Sequence, residues 1–325
     1  MLRQRAQALA GIRDFFHQRG VLEVETPLLS RYSVTDPYLD VFSATWLPGR
    51  PGSAKQLYLQ TSPEFAMKRL LASGSGPIFQ ICKAFRNEEK GAIHNPEFSL
   101  LEWYRPALTL DDIVHETLEL ILHLWVLLNP ATSGKPPPAS DNIRWTSYME
   151  AFLQHTGLHP LDASLDDMMA LAAGTGLVDA PYLCGQERAL WLELLFSQRV
   201  QPAMKSKALQ VIYDFPAILP SLAKPCPQDP RWVRRAEIYA YGTELANGFD
   251  ELTDASLQAE RFSRDQAYRQ RHDLPPAAAD DRLIAALDAG IPQCAGMAMG
   301  LDRLLMLLSG CRRIEQTLSF SIDRA

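Results

Sequence analysis

Arg86, Glu88, Phe98, Glu102 and Tyr104 crowd into one short stretch, and their types suit a nucleotide. Phe85-Arg86-Asn87-Glu88 is followed by His94-Asn95-Pro96-Glu97-Phe98 and then by Glu102-Trp103-Tyr104. A fixed guanidinium clamps a phosphate through paired N–H groups, and a ring such as Phe98 offers a flat face to a base. The same residues also permit a surface hairpin with a structural Arg–Glu pair. A second group lies far along the chain. Trp232 to Tyr241 is strand-like, Glu237 interrupts its apolar and aromatic run (Ala236, Ile238, Tyr239, Ala240, Tyr241), and Glu244-Leu245-Ala246-Asn247-Gly248-Phe249 returns after Gly242-Thr243. Carboxylates inside a hydrophobic sheet are costly unless paired or metal-bound. Magnesium carrying nucleotide phosphates is one partner, because that ion uses few protein carboxylates and takes its other ligands from phosphate and water. A buried ion pair with Arg234 or Arg235 is the alternative.

Such side chains need strands to hold them. The apolar run Pro77 to Phe85 leads into a polar turn around Glu89-Lys90-Gly91, and Glu97 to Tyr104 alternates on the way back. That pattern predicts paired strands with Arg86 on the sheet beside Glu88. Gly296-Met297-Ala298-Met299-Gly300-Leu301-Asp302-Arg303 reads as a glycine-punctuated strand entering an apolar helix that runs on through Leu308. Gly300 lets a ligand approach the backbone, and Arg303 at the helix start faces the same space. Arg3 to Gly20 has helical spacing at Leu9, Ile12, Phe15 and Phe16, and Val21 to Pro27 is a strand stopped by its proline.

Taken in chain order, these three segments resemble motifs 1, 2 and 3 of the class II aminoacyl-tRNA synthetases. Ser62-Pro63-Glu64, His94-Asn95-Pro96-Glu97-Phe98 and the run Glu244 to Leu252 make the lysyl-tRNA synthetase catalytic domain the nearest resemblance, over about Arg3 to Ala325. The resemblance implies an α+β fold, mainly antiparallel sheet flanked by helices, with 1–325 as a single catalytic domain. Lysyl-tRNA synthetases carry an anticodon-reading OB-fold ahead of motif 1. Motif 1 begins here within the first few residues, so no such domain is expected. A stand-alone core of this kind resembles the elongation factor P (R)-β-lysine ligase family.

That resemblance assigns roles residue by residue. Arg86 and Arg303 would hold ATP bent for attack at its α-phosphorus, and Asn87, Glu88, Asn95, Phe98, Leu245 and Gly300 would border the nucleotide. Glu237 and Glu244 would hold Mg²⁺. Ser62, Pro63 and Glu64 would sit near the substrate's reacting carboxylate, with Glu64 taking the amino group there. Glu102, Tyr104, Asn247 and Glu251 would take the distal ammonium of a lysine-like substrate. Aspartate-specific relatives usually carry Gln where Glu64 stands, which speaks against an acidic amino acid. Motif 3 of lysyl-tRNA synthetases usually reads Gly-x-Gly-x-Gly, whereas Ala298 holds the middle position. Its Cβ would raise the pocket floor, as suits an amino group one carbon further along; the alternative is a harmless methyl on the far face of the strand.

Composition is that of a compact cytoplasmic enzyme. The chain has 325 residues, 47% hydrophobic and 22% charged, enough for a large core. No apolar run reaches membrane-spanning length, and the arginine-bearing N-terminal helix lacks a secretory core. A formal net charge of −6 argues against broad electrostatic capture of nucleic acid, and the missing OB-fold makes the resemblance imply no tRNA partner. The acceptor implied by the resemblance is elongation factor P, the donor (R)-β-lysine, and the motif 1 element implies a homodimer. Five cysteines form no CxxC and read as reduced packing residues. His94 has no metal-like partner and reads as a loop contact to substrate.

The middle of the chain carries less chemistry. Helical patterns run over Thr109 to Asn129, Ser147 to His155, Leu165 to Ala173 and Glu187 to Val200, and Ser133-Gly134-Lys135-Pro136-Pro137-Pro138 reads as an exposed connection within one domain. Three functions compete: a β-lysyl ligase acting on a protein, a minimal lysyl-tRNA synthetase-like enzyme activating α-lysine for tRNA or a small molecule, and an inactive regulatory paralogue. Retention of Arg86, Glu88, Glu237, Glu244 and Arg303 together argues against the last.

Overall fold

Alternating apolar spacing and well-capped helices produce two compact units in the computed structural model, Met1–Pro137 with Glu251–Ala325, and Pro138–Asp250. The structure describes residues 1–49, 53–128, 143–219 and 222–325, so the connection read at 133–138 lies outside the described residues.

The first unit opens with α1 (Leu2–His17), β1 (Leu22–Glu23), β2 (Leu29–Ser30), β3 (Ser43–Trp46) and β4 (Lys55–Leu59). It continues through α2 (Glu64–Ala72), β5 (Ile78–Phe85), β6 (Glu97–Pro106) and α3 (Leu110–Leu127). Strands β1, β5 and β6 pair side by side, while β2 and β3 flank β4 in a small separate sheet. After a long excursion the chain returns with α9 (Ala255–Arg271), α10 (Asp281–Ala289), β11 (Cys294–Gly300) and α11 (Leu301–Leu308). Strand β11 pairs antiparallel with β6. The segment from Val21 to Pro27 thus forms only a short strand, parallel to β5.

Strand β6 departs from the alternation expected of it, because Ser99 to Tyr104 are all buried. Both of its faces are covered. One face, with Phe79 and Trp103, packs on α1: Phe16 stacks on Phe79 with ring centroids 4.7 Å apart and tilts against Trp103 at 5.4 Å. Glu116 on α3 also reaches that face, accepting from Trp103 Nε1 at 3.2 Å and from Arg105 at 2.8 Å. Pairing register puts Phe98, Leu100, Glu102 and Tyr104 on the other face, in rows with Gly300, Ala298 and Gly296 of β11 and with Ile78, Gln80, Cys82 and Ala84 of β5. That second face carries the chemistry.

The second unit contains β7 (Arg144–Ser147), α4 (Tyr148–Thr156), α5 (Leu165–Gly174), α6 (Ala180–Cys184), α7 (Arg188–Leu195), α8 (Gln201–Ala203), β8 (Gln210–Pro216), β9 (Trp232–Ala240) and β10 (Thr243–Asp250). Strand order is β10-β9-β8-β7, with β7 parallel to β8 and the other pairs antiparallel. Ser147 and Ser164 close capping boxes with Glu150 and Asp167, as Thr109 does with Asp112 in the first unit. The helix expected over Glu187 to Val200 is α7 followed by one wider π turn, Phe196–Val200. Phe196 stacks on Tyr148 and Phe215 tilts against it, within a core of its own that includes Trp191 and Leu195.

Candidate active site

The turn between β5 and β6 is built from backbone bonds that aim two arginines. Arg86 N donates to Pro96 O at 2.9 Å, Asn87 N to Asp40 O at 2.9 Å, and Gly91 bridges His94. Glu88 sits at φ 25, a conformation that side chains rarely adopt, and it turns away exposed. In consequence Arg86, just beyond the end of β5, pairs with Glu89 at 3.1 Å instead of the expected Glu88. The Arg86 guanidinium lies 5.2 Å from the Phe98 ring centroid. Arg86 Nε is buried without a hydrogen-bond partner among the described residues, a donor left for a ligand. Arg303, in the first turn of α11, meets the same turn through Ile93 O at 3.4 Å and His94 Nε2. Asn87 is exposed beside them. Asn95 pins the turn from the other side, because its Nδ2 donates to Glu97 O at 2.6 Å and its Oδ1 accepts from Ile322 N at 3.2 Å.

Helix α11 is anchored from below. Asp302 accepts from Ser99 N at 2.7 Å and pairs with Arg5 of α1, which also reaches Ser99 Oγ at 3.2 Å and Thr317 O at 3.1 Å. The strand end at Gly300 and the guanidinium of Arg303 are thereby fixed relative to Phe98. A Cβ placed on Gly300 would lie 3.8 Å from Arg303 Cδ, so the protein itself leaves room there.

Further along the same face lies a cluster of carboxylates. Ser62 Oγ donates to Glu102 Oε2 at 2.7 Å, and Tyr104 Oη donates to Glu102 Oε1 at 2.6 Å. Pro63 precedes the first residue of α2, and Glu64 N donates to Ser62 Oγ at 3.0 Å. Lys68, one turn along α2, reaches Glu64 Oε1 and Glu251 Oε2, both at 2.6 Å. Burial drives Glu102 up to about 7, helped by the charge of Glu64. Burial likewise drives Glu251 up to about 8, although Lys68 pulls against it. Lys68 stays protonated above the ordinary lysine range, because Glu251 and Glu64 outweigh its own desolvation. Gly296 makes this packing possible: a Cβ there would collide with Glu251 Oε1 and the Tyr104 ring. Ala298 stands opposite Glu102 in the pairing register, on the carboxylate face, so the far-face alternative does not hold.

Strands β9 and β10 carry the other acidic pair. Arg235, Glu237 and Tyr239 share one face of β9, and Asn247 pairs with Glu237 while Glu244 pairs with Tyr239. Strict alternation would point Glu244 and Asn247 to opposite faces. The β-bulge between Glu244 and Ala246 takes up one residue, Leu245, and restores Glu244 to the face of Glu237. Glu237 is the buried member, and the ion-pair alternative is realised: Arg235 Nη2 donates to its Oε1 at 2.5 Å, while Tyr239 holds its other oxygen. Burial raises its carboxyl, Arg235 opposes that, and Glu244 adds to it. Arg235 also donates to Asn247 Oδ1 at 3.2 Å. Pairing with Arg235 does not spoil the pair for a metal: two adjacent carboxylates match the one or two that Mg²⁺ takes from protein when phosphates supply the rest. Among the described residues, no three or more His, Cys, Asp or Glu side chains are grouped so that they could hold a metal ion.

Three participants are not evident from the sequence. Lys68 looks like half of an ordinary surface pair with Glu64 four residues earlier, yet its side chain is only 2% exposed. Gly296 is needed because of cross-strand neighbours. Gln80, in one row with Glu102 and Ala298, is buried with an Oε1 that has no partner among the described residues. All five cysteines are free, and no described helix is long and apolar enough to cross a membrane.

The family model of class II tRNA synthetases (D, K and N) matches residues 1–324. An elongation factor P–(R)-β-lysine ligase of Pseudoalteromonas translucida is 45% identical over 326 residues, covering 100% of this chain and 96% of that protein. The same-named ligase of Mannheimia succiniciproducens is 44% identical, over 99% of this chain and 94% of its own length. That of Haemophilus influenzae strain PittGG is 42% identical, over 100% and 95%.

Proposed function

Because the chain belongs to the class II tRNA synthetase family of the aspartate, lysine and asparagine type, and within it to the elongation factor P–(R)-β-lysine ligases, we propose that it activates (R)-β-lysine with ATP and transfers it to a lysine of elongation factor P. The observation that carries the reading is the cluster Glu64, Glu102 and Glu251 with one internal cation, Lys68, on the sheet face of Phe98 and Gly300. Three carboxylates against one ammonium suit a substrate that brings two more ammonium groups.

In this reading Phe98 stacks the adenine, and Asn87, Glu88, Asn95, Leu245 and the Gly300 backbone border the nucleotide. Arg86, through its spare Nε, and Arg303 take the phosphates. Glu237 and Glu244 hold Mg²⁺, which neutralises phosphate charge when bound. Glu64 takes the amino group nearer the carboxylate. Glu102, with Tyr104 and Ser62 fixing its oxygens, shares the distal ammonium with Glu251 and Asn247, and Ala298 forms the floor. A substrate carboxylate oxygen attacks the α-phosphorus, the bond to the bridging oxygen breaks, and pyrophosphate leaves. The ε-amine of the acceptor lysine then attacks the acyl carbon, AMP leaves, and the amine loses a proton. Positioning supplies the rate, with no side-chain nucleophile.

The two units serve one catalytic function in this reading, the enzyme works in the cytoplasm, and it is a homodimer. The exposed Leu22, Leu29, Trp46 and Leu47 around β1–β3 support the last point. Light scattering reporting a dimer supports it, and a persistent monomer refutes it. The function is tested by pyrophosphate exchange with α- and (R)-β-lysine, followed by mass spectrometry of elongation factor P. The expected result is β-lysine-dependent exchange and one β-lysyl addition to the factor. Efficient charging of tRNA with an unmodified factor would establish the synthetase alternative instead.

A further inference from the structure

Lys68 is costly where it stands, since its ammonium is buried and must be repaid by close partners. It has two, Glu64 Oε1 and Glu251 Oε2, each at 2.6 Å, one contributed by its own helix and one by the segment that follows β10. Helix α10 lies against α2, and its buried side chains are the apolar Leu283 and Leu287. The ionisable groups facing the cluster are therefore Glu64 on α2, Glu102 and Tyr104 on β6, Glu251, and the Cys82 thiol of β5 beside Glu102. Three carboxylates this close repel one another, and without a cation the buried ones would hold their protons and lose their value as ammonium acceptors.

Resting on the function proposed above, we infer that Lys68 is a permanent internal counter-cation of the amino-acid pocket, a positioning residue that stays in place when substrate binds and makes the pocket selective for two ammonium groups. It touches neither the reacting carboxylate nor the phosphates. Its ammonium ties Glu64 to Glu251, one carboxylate assigned to each amino group of the substrate, and so sets the spacing between the two acceptors. Glu102, held by Ser62 and Tyr104, needs no such tie.

The test uses the whole protein. Lys68→Met keeps the chain length of the side chain and removes the charge. At neutral pH the KM for the diamino acid in pyrophosphate exchange should rise roughly ten-fold or more, as expected when nearby carboxylates titrate about one unit higher. That rise should shrink toward pH 9, while the KM for ATP stays unchanged and Lys68→Arg recovers part of the loss. A Lys68→Met enzyme with the original KM and pH profile, or with ATP affinity weakened equally, would overturn the inference. A second arm needs no variant to fold and no particular substrate. The ¹⁵N resonance of the Lys68 ammonium in the unsubstituted protein should remain charged and slowly exchanging, both free and with a diamino acid bound. A neutral amine, or an ammonium released to solvent on loading, would overturn it. If no diamino acid supports exchange in the unsubstituted enzyme, the proposed function fails, and the resonance of the free protein still decides on Lys68.

Discussion

Two buried carboxylate groups in this molecule solve the same electrostatic problem in opposite ways. Beside β6 and β11, Glu64, Glu102 and Glu251 share a single cation, Lys68. On β9, Glu237 pairs with Arg235, which also donates to Asn247, and has Tyr239 on its second oxygen, with Glu244 one bulge away. The first group is left short of positive charge and therefore asks for a substrate that supplies it. The second is nearly balanced, which suits a divalent ion that arrives with its own phosphate ligands. Under the proposed function, charge surplus more than carboxylate count would separate a pocket for an organic cation from a seat for a metal.

The largest expected break in that comparison comes from exchanging one carboxylate for an amide in each group. Glu244→Gln should lower kcat for pyrophosphate exchange on the order of 10²–10³-fold, the scale of losing one preorganised electrostatic contact in a transition state. Glu251→Gln should act mainly on KM for the amino acid, by roughly ten- to 150-fold, because it weakens a charged hydrogen bond worth about 1.5–3 kcal/mol. Steady-state kinetics with each substrate varied separate the two. Near-normal kcat in Glu244→Gln would remove the metal assignment.

A smaller effect sharpens the description of the pocket floor. Ala298→Gly should raise kcat/KM for α-lysine relative to β-lysine by about ten- to two-hundred-fold, the usual scale of one methyl at a pocket wall, with the KM for ATP unchanged. Gly296→Ala, one row further, should weaken both lysines equally, since its methyl would displace Glu251 and Tyr104 themselves. Competition kinetics give the ratio directly, and an unchanged ratio in Ala298→Gly would assign the preference to another residue.

The smallest effect is on stability. Glu102 and Glu251 are raised to about 7 and about 8 in the folded protein, above the unfolded value near 4.5. The native state therefore binds more protons than the unfolded chain between those limits, and the stability these groups contribute is complete below about pH 4.5 and lost as pH rises through 7 and 8. Scanning calorimetry without substrate should show Tm falling across that window. A saturating diamino acid should oppose the fall. A Tm that climbs from pH 5 to 8 would contradict the raised carboxyls.

Much of this was legible in the chain. Helix α11 follows from glycine placement, the α+β family from three ordered motifs, and α3, α4 and α5 from their helical patterns, while β6 is a strand as expected but buried on both faces. What stayed hidden depends on three-dimensional neighbours. Glu88 and Glu89 are equivalent on paper, and only the backbone turn at Glu88 hands Arg86 to Glu89. The bulge at Leu245 changes which face Glu244 occupies, and no residue in Glu244-Leu245-Ala246 announces it. Lys68 is easily passed over because a Glu–Lys pair four apart is commonplace on surfaces, and its burial depends on Glu251, nearly two hundred positions away.

Contacts of high sequence separation have a consequence for folding during synthesis. Arg5 binds Asp302, Ser99 and Thr317, Ile314 N donates to Ala92 O, Ile322 N donates to Asn95, and Lys90 pairs with Asp323. The turn that carries Arg86 is thus stitched to the segment from Ile314 to Asp323, far along the chain. The unit at Pro138–Asp250 is continuous in sequence and owns its core, so it can close while translation proceeds. The first unit must keep β5 and β6 waiting until β11, α11 and the final turn emerge, and its pairings of high sequence separation make it the slow step in folding. A chain cut before Ile314 would keep its second unit and lose the contacts that hold the Arg86 turn.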